Sequence, residues 1–203
     1  MNFFFSFFFS IAGSLTPGTI NLSAVQLGLD KKVILAWRLA LAAACMEYIY
    51  AWLAVKFEGY ITSNPLIVKN FHLIAAVVML TLGILTLRAI SRQTSFTNQF
   101  NNSGFLRGFI LGILNPLSMP FWIGVTAYLK SMHWIDLSTN FQLHSYLAGV
   151  SLGVFTLLVS VAYLANKVMA VLKANTALLR KIPGYLMLAL GIFALIKYFC
   201  LAG

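Results

Sequence analysis

Six stretches of about twenty predominantly apolar residues, separated by short polar breaks, occupy nearly the whole of this 203-residue chain. About twenty apolar residues in a helix cross a bilayer core about 30 Å thick. Lipid offers no hydrogen-bond partners to the backbone, so a span must satisfy its own N–H and C=O groups, as a helix does. The spans read as residues 3–28, 33–57, 71–90, 104–129, 145–164 and 182–201. They predict an all-α membrane protein of six transmembrane helices, with no soluble domain left outside them. With 61% of residues hydrophobic and 9% charged, the chain is far from the mixture typical of a soluble globular domain.

The net charge of +10 would, in a soluble protein, point first to nucleic acid. Here the charges fall between apolar spans rather than along one face, so the lipid bilayer is the expected partner and nucleic acid is not. Lys56, Lys69, Lys130 and Lys197 fall on one side of the predicted spans. The other ten of the 14 Lys and Arg residues, Lys31, Lys32 and Arg107 among them, fall on the opposite side. Cytoplasmic loops carry the basic excess, which predicts both termini outside the cytoplasm and suits a bacterial inner membrane. The opening Met1 to Phe9 lacks a basic n-region and a small-residue cleavage pattern, so it reads as a retained first helix. Cys45 and Cys200 are far apart in depth and no His cluster accompanies them, so no redox pair, metal or cofactor is expected.

Two patches recur in order. Gly13-Ser14-Leu15-Thr16-Pro17 matches Gly112-Ile113-Leu114-Asn115-Pro116, an offset of 99, and Met79 to Ile84 matches Met187 to Ile192, an offset of 108. Duplication follows, with residues 1–90 as one three-helix repeat, 91–103 as a polar connector and 104–203 as the second repeat. Three helices per half is an odd number, so the halves are inverted relative to each other.

A proline inside a helix removes a hydrogen bond and frees carbonyls, which in lipid must find protein or water partners. Pro17 and Pro116 both fall mid-span, so the first and fourth helices are predicted to break there. Paired midplane breaks with helix ends facing a cavity are how many repeat transporters hold a solute. Thr16, Pro17, Gly18, Thr19 and Asn21 in the first half, with Asn115, Pro116 and Ser118 in the second, are the candidate substrate-binding residues. The plainer alternative is that the prolines only kink two helices for packing.

Glu47 lies 14 residues after Val33, about 20 Å along a helix. A carboxylate near the middle of a bilayer is costly and needs a partner or a proton. Arg38, nine residues away, is about 13.5 Å off along the same helix and is no direct partner. Two roles fit Glu47: proton coupling, or counter-ion to a substrate amine. The structural alternative is a neutral acid bonded to Tyr48, Tyr50 or a Thr hydroxyl. Trp37, Trp52 and Trp134 read as interfacial anchors, and Trp122 as a residue that lines a cavity or packs.

These motifs resemble the amino-acid exporters of the lysine exporter type, also called the homoserine and threonine efflux family. Thr16-Pro17-Gly18-Thr19 resembles that family's Thr-Pro-Gly-Pro, Met46-Glu47 its Gly-Asp, and Leu82-Gly83 through Arg88 its Leu-Gly ending in Arg. Gly108-Phe109-Ile110 through Asn115-Pro116-Leu117 resembles its Gly-Phe-Leu with Asn-Pro-Lys. The resemblance implies proton-driven export of amino acids or related small metabolites. Three departures stand out: Thr19 in place of the second proline, an Ala-rich second helix in place of glycines, and Leu117 in place of the lysine, which removes a cation near the expected site.

Other functions fit less well. An intramembrane enzyme needs a nucleophile with a base, paired carboxylates or metal ligands, and Asp30, Glu47, Glu58 and Asp136 form no such set. A channel lacks a repeated polar filter here. A non-transporting scaffold or receptor-like protein needs neither Glu47 nor paired breaks, and dependence of solute flux on Glu47 separates it from a transporter. The sequence is compatible with a homo-oligomer and does not specify one.

Overall fold

The computed structural model describes residues 1–15, 18–63, 103–115 and 118–167, together with single helical positions at 73, 77, 80, 81, 84, 185, 188, 189, 191, 192, 195, 196 and 199. The described residues form α1 (Asn2–Ser14), α2 (Thr19–Leu29), α3 (Val33–Ser63), α4 (Gly104–Ile113), α5 (Ser118–Ser131) and α6 (Asn140–Tyr163), with no strand among them. Two helices, α3 and α6, are each long and apolar enough to cross a membrane. The pairs α1–α2 and α4–α5 each reach that length jointly, bent by 81° and 67° at their breaks, so the described candidate spans number two, or four if each bent pair is one span. The predicted spans 71–90 and 182–201, like the connector up to residue 102, lie largely outside the described residues.

Both breaks fall where the proline motifs placed them. Ser14 and Ile113 end their helices 99 residues apart, and Thr19 and Ser118 begin the next ones at the same interval. The second segment of each pair also ends alike. The N–H of Lys32 bonds the Leu27 carbonyl at 2.9 Å and that of Trp134 bonds the Leu129 carbonyl at 3.0 Å. Lys31 and His133 take the left-handed conformation such a helix ending requires, with φ of 58° and 57°. At the other ends, Ser103 caps α4 by accepting from the Leu106 N–H, and Thr139 with Gln142 forms a capping box on α6.

The unbroken helices α3 and α6 pack on each other, and each holds the broken pair from the other end of the chain: α1 and α2 lie on α6, while α4 and α5 lie on α3. Small residues make these contacts close, as is usual where helices associate in lipid. On α1 the stripe Asn2, Ser6 and Ser10 is buried while Phe4 and Phe8 are exposed, so the aromatic residues face outward and the polar ones inward. Ser10 donates to the Val150 carbonyl at 2.6 Å, and a Cβ on Gly153 would come within 2.6 Å of the Ser10 Cβ. On α4, Gly104, Gly108 and Gly112 recur every fourth residue and lie on one face against α3. A Cβ on Gly108 would approach the Leu39 Cα to 2.9 Å, and one on Gly112 the Met46 Cγ to 2.8 Å.

Ala24 and Leu27 of α2, Leu39, Ala40 and Ala43 of α3, and Val154, Leu158 and Ala162 of α6 form one buried cluster. Ala51, Ala54, Trp122, Leu129, Tyr146 and Val150 belong to a second. The two later repeat patches also meet, since a Cβ on Gly191 would lie 2.8 Å from the Leu80 Cγ.

Candidate functional site

The α4–α5 break is where α3 places its acid. Glu47 is partly buried, and its Oε1 accepts hydrogen bonds from the Ser118 hydroxyl and, at 3.5 Å, from the Asn115 amide. Its Oε2 accepts from the Trp122 indole N–H at 2.7 Å. Asn115 also donates to the Ser118 Oγ at 2.7 Å, so the side chains across the break are tied to each other as well as to the carboxylate. Ser118 is the first residue of α5 and Trp122 lies one turn further on. The carboxylate therefore meets the positive end of a half-helix, where the dipole and unpaired N–H groups favour an anion. Tyr50, one turn beyond Glu47 on α3, donates to the Ile113 carbonyl at the end of α4 at 2.8 Å. The freed carbonyl that a helix break creates thus has a partner from the same face of the same helix.

Packing fixes the indole. Trp122 and Tyr146 are almost wholly buried and meet edge to face with ring centroids 6.1 Å apart. The Tyr146 hydroxyl and the Thr126 Oγ1 share a hydrogen bond of 3.0 Å one turn below. Phe121, edge-on to Trp122 at 5.1 Å, crosses to the other half: a Cβ on Gly13 would lie 2.7 Å from its Cε1. The last turn of α1 is therefore in contact with the first turn of α5, which brings the two breaks together.

The first break is organised differently. Gly18 precedes α2 in an extended conformation and its carbonyl accepts the first helical bond, from Leu22 at 3.0 Å. Thr19 opens α2, and the Asn21 amide reaches back across the break to the Ser14 carbonyl at 2.6 Å. Thr16, Pro17 and Pro116 lie outside the described residues. Of the proposed lining, Asn115 and Ser118 gather directly on Glu47, while Gly18, Thr19 and Asn21 line the neighbouring break.

The hydroxyl partners considered for Glu47 go elsewhere. Tyr48 shares a bond of 2.6 Å with His144 Nδ1, and Tyr50 serves Ile113. Trp122 and Tyr50 were not among the predicted site residues. Their spacing carried the signal: Trp122 follows Ser118 by four residues and Tyr50 follows Glu47 by three, the intervals that share a helix face.

Arg107 is the larger departure. Its charge counts toward topology in the sequence, yet its side chain is 4% exposed and turned onto α2. There Nη2 donates to the Ser23 hydroxyl at 3.0 Å and to Gln26 Oε1 at 3.3 Å. Among the described residues, no group of three or more His, Cys, Asp or Glu side chains is placed to hold a metal ion.

Two long apolar helices, with two helix pairs that together reach the same length and bend at their breaks, are those of a multi-pass membrane protein. Residues 11–198 match the family of LysE type translocators, and the chain belongs to that family. No curated protein and no solved structure matches the chain.

Proposed function

We propose that this translocator is a secondary transporter that exports amino acids or related small metabolites from the cytoplasm and is driven by protons. The observation that carries the reading is the Glu47 carboxylate, held by Asn115, Ser118 and Trp122 at the start of the half-helix α5. An ionisable side chain on a membrane-spanning helix is costly and marks solute or proton pathways. Three donors and a helix terminus hold this one in place, yet among the described residues no cation lies within ion-pair distance of it. Glu47 is thereby suited to take up a proton or to meet a substrate amine.

In this reading residues 1–90 and 104–203 are two inverted three-helix repeats joined by 91–103, and the first and fourth transmembrane helices are the pairs α1–α2 and α4–α5. The equal spacing of the two breaks and the exchange of partners between α3 and α6 support it. The solute binds between the breaks, lined by Thr16, Pro17, Gly18, Thr19 and Asn21 on one side and Asn115, Pro116 and Ser118 on the other. The excess of Lys and Arg puts both termini outside the cytoplasm, across a bacterial inner membrane.

The test is flux in liposomes. The purified protein is reconstituted, a panel of radiolabelled amino acids is screened with and without a pH gradient, and wild type is compared with Glu47→Gln. Gradient-dependent flux of at least one amino acid, reduced more than about tenfold in the variant, is expected where a charged hydrogen-bonding group worth about 1.5–3 kcal/mol is lost. Equal flux in the variant removes Glu47 from the mechanism. Absence of flux for every amino acid overturns the substrate class.

A further inference from the structure

Arg107 is a buried cation without an anion. The sequence contains four carboxylate side chains, at Asp30, Glu47, Glu58 and Asp136, and all four are among the described residues. Glu58 pairs with Lys130 at 2.7 Å, the one ion pair among the described residues. Glu47 is held at the α4–α5 break and Asp136 by Ser138 and Gln142. Asp30, exposed at the end of α2, attracts Arg107 from beyond ion-pair distance.

The guanidinium is left with two neutral partners on Nη2, and its Nε–H is buried with no partner among the described residues. Burying a charge and leaving one of its donors unmade is expensive. Such an arrangement persists where something else supplies the missing acceptor.

The geometry says what that acceptor is. Nε and Nη2 lie along one edge of the planar guanidinium, the edge that meets both oxygens of a carboxylate in a two-pronged pair. Nη2 on that edge donates one hydrogen to Ser23, which is buried, and the other to Gln26, which is exposed, so a carboxylate spanning Nε and Nη2 takes over the bond now made to Gln26 on the open side. The backbone around Arg107 is fixed, because Gly104 and Gly108 on either side press against the main chain of Leu35 and Leu39.

We propose that Arg107, with Ser23 and Gln26, binds the carboxylate group of a solute, a site separate from Glu47. As the carboxylate end of a transported amino acid, it rests on the transport reading above. Arg107 is level with Leu39 of α3, and Glu47 follows Leu39 by eight residues, about 12 Å along the helix. The charged groups of an α-amino acid share a single carbon, so one molecule does not touch both residues at once. The carboxylate station and the Glu47 station are occupied in turn. By the distribution of Lys and Arg, Arg107 is the one nearer the cytoplasm, where a solute bound for export enters.

The test reads Arg107 itself. Full-length protein with 15N-labelled arginine in lipid nanodiscs gives Nε–H resonances for its five arginines, and the Arg107 signal is the one lost in Arg107→Lys. If that variant does not fold, replacing the other four arginines with Lys identifies the signal instead. Titration with propionate is expected to shift the Arg107 resonance saturably, and propionamide, of equal size without the charge, to leave it in place. A resonance that ignores propionate, or follows both probes equally, overturns the proposal.

In the liposome assay, Arg107→Lys keeps the charge but loses the two-pronged edge. It is expected to raise KM for a transported amino acid about tenfold, with kcat less affected; an unchanged KM removes Arg107 from solute binding. Response to propionate without flux of any amino acid leaves the carboxylate site standing and removes the transport reading. Flux with an unresponsive Arg107 does the reverse.

Discussion

Glu47 and Tyr50, one turn apart on α3, hold the two sides of a single helix break with opposite chemistry. Glu47 accepts from Ser118, where α5 begins, and Tyr50 donates to Ile113, where α4 ends. An acceptor goes to the positive end and a donor to the negative end, as the polarity of helix termini requires. One continuous helix, α3, thereby holds α4 and α5 in register.

Tyr50→Phe removes the donor and leaves the ring. The Ile113 carbonyl then has to find water or go unpaired, and the net worth of such a bond is about 0.5–1.5 kcal/mol. Thermal unfolding in detergent is expected to show a loss of that size. The Glu47 cluster, on the other side of the break, keeps all three of its donors. Unchanged stability in the variant would mean that the Ile113 carbonyl does not depend on Tyr50.

The two breaks were legible in the sequence because a mid-span proline after a polar residue has few structural outcomes; that the helices stop at Ser14 and Ile113, short of the prolines, was not. Glu47 was legible because an acid in an apolar span has to be accounted for. Its partners were harder to see. An indole in an apolar run reads as packing, and only the register of α5 against α3 turns the Trp122 N–H toward the carboxylate. Arg107 was misleading for the opposite reason: four residues after Ser103 it looks like the end of a span, and only the packing of α4 on α2 shows it to be buried. The α3–α4 contact, by contrast, was half-written in Gly104, Gly108 and Gly112, whose fourfold spacing marks one close-packed face.

That face gives a paired prediction. A methyl group at Gly108 would collide with the Leu39 backbone, which cannot move without shifting α3, whereas a methyl group at Gly124 meets nothing within 4 Å. Gly108→Ala is expected to lower stability by about 1–3 kcal/mol, the usual cost of overpacking. Gly124→Ala adds a better helix former without a clash and is expected to be neutral or to stabilise by up to about 1 kcal/mol. Unfolding of the two variants side by side in one detergent decides it. Equal effects would show that close approach of α4 to α3 is not what Gly108 provides.

The loop between α5 and α6 supplies a pH-dependent test outside the membrane spans. Asp136 is held below the usual carboxylate range, first by the Ser138 N–H, then by the Ser138 hydroxyl, against an opposing effect of desolvation, with Gln142 adding the least. These bonds run at 2.9 Å from the Ser138 N–H and at 3.1 Å from both the Ser138 hydroxyl and the Gln142 amide. The same residue docks the N-terminus, since its carbonyl accepts from the Asn2 side chain and its N–H donates to Asn2 Oδ1 at 3.3 Å.

A carboxylate whose pKa is lower folded than unfolded stabilises the fold above its unfolded value, about 3.9 for Asp, and loses that contribution as pH falls through the folded value. Asp136→Asn removes the titration and keeps the backbone bonds to Asn2. Wild type is therefore expected to be slightly more stable than Asp136→Asn at neutral pH, with a constant difference down to about pH 5 that fades below about pH 4. Comparing the two proteins cancels every contribution they share. A difference that persists unchanged to the acid limit would place the effect in the loop's shape rather than in the charge of Asp136.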